Sequence, residues 1–183
     1  WIDKKIGEDL KPIKNKFDEN ISSSLRAIIF NIFERLGTMP ILEFKTFLQK
    51  INVNEKTILS KLGIRVGAKF FFMPNFLKKT SMELSAALWK VYNNYSNDGI
   101  LPLPKDGRVS FTTNIEMPSS YWDSIGYINL NNFALRVDVF ERIFYLARQK
   151  IKNGPFIESA DLMNPVGCNS DQLKNILAFC GLD

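Results

Sequence analysis

The sequence predicts a predominantly helical α+β fold, built from helical hairpins with short strands or hairpins near residues 64–73 and 107–137. Three observations carry that prediction. Apolar residues recur at helical spacing through most of the chain. The period shortens to a strand-like one from Ile64 to Met73, and again between Gly107 and Val137. Fifteen phenylalanines among 183 residues supply a core, at roughly 1.5–3 kcal/mol for each ring buried, so disorder over most of the length is excluded.

The elements follow in order. Residues 2–16 read as a charged helix kinked by Pro12. Asn20 and the run Ser22–Ser24 offer N-caps for a second helix, which spaces Leu25, Ile28, Ile29, Ile32, Phe33 and Leu36 on one face and ends at Gly37. A third helix is expected from Pro40, a residue suited to a first turn, with Leu42, Phe44, Phe47, Leu48 and Ile51 inward. A short fourth runs from Asn54 to Gly63. The strand or hairpin at 64–73 ends at Pro74. Thr80-Ser81-Met82-Glu83 reads as a capping box opening a helix to Tyr95 that presents Leu84, Leu88, Trp89 and Val91. Gly107–Thr113 reads as a strand and Pro118–Ser124 as a helical turn. Gly126–Val137 reads as a hairpin turning at Asn131-Asn132. Asp138 is placed to cap a helix reaching Lys152, which Asn153-Gly154-Pro155 ends. Two short helices around Pro165-Val166-Gly167 follow, the last capped by Asn169 or Ser170 and closed by Gly181.

Residues 97–106 form the expected linker loop between a helical subdomain (1–96) and an α+β subdomain (107–183) ending in a helix-turn-helix. A single compact domain is the alternative. A weak echo joins Pro40-Ile41-Leu42-Glu43 to Pro155-Phe156-Ile157-Glu158, and Ile58-Leu59 with Gly63-Ile64 to Ile176-Leu177 with Gly181-Leu182. A true repeat and a coincidence between helical hairpins both fit it.

The composition excludes several chemistries. Histidine is absent, which removes the commonest general base and metal ligand and every Ser-His or Cys-His pair. No P-loop and no GxGxxG occurs, so the chain is expected to have no catalytic residues, no metal site and no cofactor of its own. Cys168 and Cys180, in an apolar helical stretch, read as buried free thiols. No apolar run approaches the roughly 20 residues of a membrane span, and no signal peptide pattern opens the chain. A cytoplasmic protein without a membrane partner is expected. Because the chain opens on Trp1, it reads as part of a longer polypeptide.

The net charge of +5 is unevenly spread. Residues 64–110 carry seven basic and three acidic side chains, whereas residues 111–183 carry six and eight. Such a segment suits a polyanion, although a solvated surface also fits. Arg65 and Lys69 fall two pleats apart on one strand face, and Lys78 and Lys79 follow the turn at Pro74. With Lys105 and Arg108, these are the candidate nucleic-acid-binding residues, point charges that would track phosphates without choosing sequence. The run Phe70-Phe71-Phe72 offers rings for base stacking, but alternation sends at least one face into the core. Trp89 and Trp122 read as core anchors or interface residues rather than base stackers, and Arg136 with Asp138 as a structural pair on one strand face.

A set of strings, in order, carries a family resemblance. Trp1-Ile2 and the charged helix come first, then Arg26-Ala27-Ile28-Ile29-Phe30 and Glu34-Arg35-Leu36-Gly37. Next are Leu62-Gly63-Ile64-Arg65-Val66-Gly67, Phe72-Met73-Pro74, Leu77-Lys78-Lys79 and Ala87-Leu88-Trp89. Gly126-Tyr127, Leu135-Arg136-Val137-Asp138, Phe140-Glu141-Arg142 and Gly167-Cys168-Asn169-Ser170 complete it. Together they resemble the region downstream of the motor domains in alphaproteobacterial superfamily II helicases, which are similar to the mitochondrial degradosome RNA helicase. Two departures stand out: Lys5 lies near a position where many members have histidine, and Lys79 follows Lys78 where members often have proline. The resemblance implies a parent ATP-dependent helicase whose ATP and magnesium sit in motor domains outside this chain. It implies a non-catalytic accessory region here, with single-stranded RNA or DNA and the motor domains of the same polypeptide as partners. The alternative is a protein-interaction scaffold that docks the helicase on a partner such as a nuclease.

Overall fold

The computed structural model describes residues 21–95, 100–154 and 160–182. The expected helix at 2–16, the cap at Asn20, residues 97–99 of the linker and the Pro155–Glu158 string lie outside them. The fold is predominantly helical α+β, with two three-stranded antiparallel sheets.

Helix α1 (Ser23–Glu34) starts where expected, because the Ser22 hydroxyl accepts the Leu25 N–H. Its apolar stripe of Leu25, Ile28, Ile29 and Ile32 is fully buried. The next element departs from the sequence reading. Thr38–Pro40 is a strand, β1, and the helix expected from Pro40 is a 3-10 turn (Leu42–Phe44) leading into α2 (Lys45–Lys50). Strand pairing of Thr38 with Phe72 and Met39 with Phe71 overrides the local helical signal, and proline is tolerated because β1 is an edge. Leu42 consequently points to solvent, 82% exposed.

Helix α3 (Val53–Lys61) opens on a complete capping box between Asn52 and Glu55. Strands β2 (Arg65–Val66) and β3 (Phe70–Phe72) form the hairpin expected at 64–73. Alternation along β3 puts Phe71 into the core of α1, β1 and α3, while Phe70 and Phe72 pack on the opposite side. Both faces of this run are therefore committed to packing, and Phe70 and Phe71 are buried, which takes them out of reach as base-stacking platforms.

A 3-10 turn (Pro74–Leu77) leads into α4 (Lys79–Tyr92). The box expected at Thr80 does not form: the N-cap position is Lys78, with no side-chain cap bond. Packing decides the start instead, since α4 buries Met82, Ser85, Ala86 and Trp89, and Val91 is left outward. Residues 101–104 pack on the chain: Pro102 and Pro104 are buried, and the Pro102 carbonyl accepts the Tyr121 hydroxyl. Strand β4 (Ser110–Thr112), helix α5 (Ser119–Ile125), β5 (Tyr127–Leu130) and β6 (Phe133–Arg136) follow. Asn131 and Asn132, both at positive φ, make the two-residue turn of the β5–β6 hairpin. In α6 (Val137–Lys152), Asp138 lies in the first turn rather than at the cap. Its carboxylate takes two bonds from the Arg136 guanidinium, at 2.7 and 3.0 Å. Short α7 (Ala160–Met163) and α8 (Ser170–Cys180) complete the chain, with Asn169 and Gln172 boxing the start of α8.

The order α1-β1-α2-α3-β2-β3, with strands arranged β1-β3-β2, is the connectivity of a winged helix-turn-helix. The next segment repeats it in shortened form: α4-β4-α5-β5-β6, arranged β4-β6-β5. In each unit a left-handed glycine, Gly63 (φ +79°) or Gly126 (φ +72°), turns a helix into the hairpin. The order of elements thus pairs residues 23–72 with 79–136. The echo seen in sequence joins α3 and α8, which share an Asn cap and a closing glycine. Strand β6 holds two cores apart: Ala134 faces α4 and α5, whereas Phe133 and Leu135 face α6 and α8.

Candidate nucleic-acid interface

The two-residue tip of the first hairpin, Ala68-Lys69, is held by α6. The Glu141 carboxylate accepts the N–H groups of Ala68 at 2.6 Å, Lys69 at 2.8 Å and Phe70 at 2.8 Å. The approach is so close that a Cβ on Gly67 would fall on that carboxylate, so any larger residue there would displace the Glu141 side chain. Phe70 meets Phe140 of the same helix edge-on, 5.9 Å between centroids.

This docking leaves a recess of about 780 Å3 between α3, the hairpin and α6. Lys56 and Ser60 line it from α3, Arg65 from β2, and Glu141, Tyr145 and Arg148 from one stripe of α6. A second recess of about 1010 Å3 lies between β1, the same hairpin tip, α5 and β5, and carries Lys45, Lys56 and Lys69. Leu48, Lys56 and Ala68 line both, so the two join around the tip. Five cations thus edge one continuous concave track.

The acids on the track are Glu43, Asp123 and Glu141. Glu141 is occupied by the three backbone donors, and Glu43 is bonded to Arg35 at 2.5 Å. Burial pushes the Asp123 carboxyl up to about 6, against the pull of Arg35 and with a further push from Glu43. Cations stacked on an aromatic ring stiffen the α6 side: the Lys69 amine lies 5.7 Å, and the Arg148 guanidinium 5.6 Å, from the Phe144 centroid.

The six residues singled out in the sequence do not share one place. Arg65 and Lys69 are not two pleats of one strand, because the chain turns at Ala68-Lys69 between β2 and β3. They do both reach the track. Lys78 and Lys79, exposed at the start of α4, line neither recess, and Lys105 is exposed in a 3-10 turn (Lys105–Gly107). Arg108 edges a separate cleft of about 500 Å3 beside β4 and Val166, and its carbonyl accepts the Tyr127 hydroxyl. Lys45, Lys56, Tyr145 and Arg148 escaped the sequence reading. A signal for the last two was present: Glu141, Tyr145 and Arg148 fall at i, i+4 and i+7, outside the buried stripe of α6.

Among the described residues no three His, Cys, Asp or Glu side chains gather as a metal site, and Cys168 and Cys180 are free and buried. Burial raises both thiols, Cys180 to about 12, which keeps them protonated and unreactive. No described helix is long and apolar enough to cross a membrane. Comparison with protein-family models, curated proteins and solved structures gives no match.

Proposed function

We propose that this chain is a non-catalytic accessory region of an ATP-dependent RNA or DNA helicase, and that it helps hold a nucleic-acid strand beside the motor. The observation that carries the binding half is the concave track edged by Lys45, Lys56, Arg65, Lys69 and Arg148, beside a helix-turn-helix unit. Cations spaced along a groove suit a polyanion whose charges repeat. The helicase context rests on the ordered strings described above. On this reading ATP and magnesium belong to the motor domains, which are also partners of the chain.

The test is fluorescence anisotropy of a labelled single-stranded oligonucleotide, titrated with the chain at several salt concentrations. Binding should weaken linearly on a log–log plot, with a slope of about −0.7 for each phosphate contact. A flat plot, or no binding at low salt, contradicts the proposal.

One observation favours the second reading, a scaffold that docks a protein partner such as a nuclease. Val91 and Tyr92 are 75% and 86% exposed at the end of α4, beside a recess of about 640 Å3 shared with Arg35 and Asp123. Association through that face would be insensitive to salt.

A further inference from the structure

Resting on the nucleic-acid reading, we infer that the recess between α3 and α6 takes an unpaired strand rather than a duplex, with Tyr145 as the platform on which a base stacks. Readers of duplex DNA push a helix or a ribbon outward into a groove, about 12 Å wide in the major groove. Here the corresponding parts are drawn inward. The hairpin tip is two residues long, and three N–H bonds to Glu141 tie it to α6. The side of α3 that carries Lys56 and Ser60 faces a recess walled by α6. With the tip tied down and α3 facing α6, neither element stands free to enter a duplex groove, whereas a single strand can lie along the recess.

Tyr145 supplies what phosphate contacts alone do not. It is 62% exposed, although it stands on the same wall as the buried Phe144. Arg148, one turn along, has its guanidinium over the Phe144 ring, so the cation is fixed on the wall that also carries Tyr145. An open aromatic face next to ordered cations is the arrangement by which single-strand binders hold bases without choosing among them. Only an unpaired base can present its own face to such a ring.

The experiment compares one labelled oligonucleotide, free and annealed to its complement, against the chain and its Tyr145→Ala and Tyr145→Phe variants. Tyr145 is exposed, so both variants should fold, and circular dichroism checks this. The parent should bind the free strand at least about tenfold more tightly than the duplex. Tyr145→Ala should lose on the order of five- to a hundredfold in strand affinity, as expected for one stacked base, and leave duplex binding unchanged. Tyr145→Phe should keep the parent affinity. Equal binding of strand and duplex, or a folded Tyr145→Ala that binds the strand as the parent does, overturns this inference and leaves the nucleic-acid reading standing. Failure to bind either form overturns both.

Discussion

Asp123 shows how a single buried group sets a pH response. Burial lifts its carboxyl from the ordinary 3.8 to about 6, so the folded chain holds this proton more tightly than the unfolded chain does. Stability contributed through Asp123 therefore falls as pH rises from about 4 to about 6, and the full cost is present above that window. Asp123→Asn should remove this slope and stabilise the chain at neutral pH by no more than about 3 kcal/mol. Urea denaturation of both proteins at about pH 4 and about pH 7 checks it: the difference between them should appear only at the higher pH. Glu55 acts with the opposite sign, because bonds from Ser22 and Asn52 lower its carboxyl, but it is common to both proteins and cancels. At this scale the sequence was most informative where a side chain serves its own neighbours. Ser22 and Asn169 cap helices as their local context suggests. Thr80 and Asp138 carry equally good local signals and do not cap, since packing of α4 and the two bonds from Arg136 decide their places.

Among elements, the contact that shapes the candidate site is the seating of the first hairpin on α6. Glu141→Ala removes the acceptor of three backbone N–H groups and should cost about 2–3 kcal/mol, given that the exposed Ala68 N–H regains water. Gly67→Ala should damage the same contact by driving the carboxylate away. Hydrogen exchange at Ala68, Lys69 and Phe70 should accelerate in either variant, with α1 unaffected. Equal protection in parent and variants would show that the hairpin does not depend on this latch. Both hairpins were legible because a change of period and the Asn131-Asn132 pair are local signals. Strand β1 was not. It is three residues long and contains proline, and its partner β3 lies some thirty positions on, so nothing nearby marks it. Missing β1 hid the helix-turn-helix order, and with it the role of α3.

For the molecule as a whole, tertiary contact moves the expected site. The basic segment at 64–110 contains the hairpin that edges the track but not the helices that wall it. Arg65 meets Lys56 and Arg148 only because α3 and α6, distant in sequence, wall one recess. Charge counted along the chain cannot register that meeting, and it groups with the hairpin Lys78 and Lys79, which stand at the start of α4 and line neither recess. The measurement that tests the central claim most directly compares two charge-reversed variants: Lys56→Glu, Arg65→Glu, Arg148→Glu together, and Lys78→Glu, Lys79→Glu together. Exposed charge reversals usually stay within about 0.5 kcal/mol of stability each, so both variants should fold. Single-strand binding is then followed across a salt series. The account predicts that the first variant binds far more weakly and loses about 2 from the log–log slope, at about 0.7 for each phosphate contact, while the second stays close to the parent. A folded first variant with the parent's affinity and slope would contradict it.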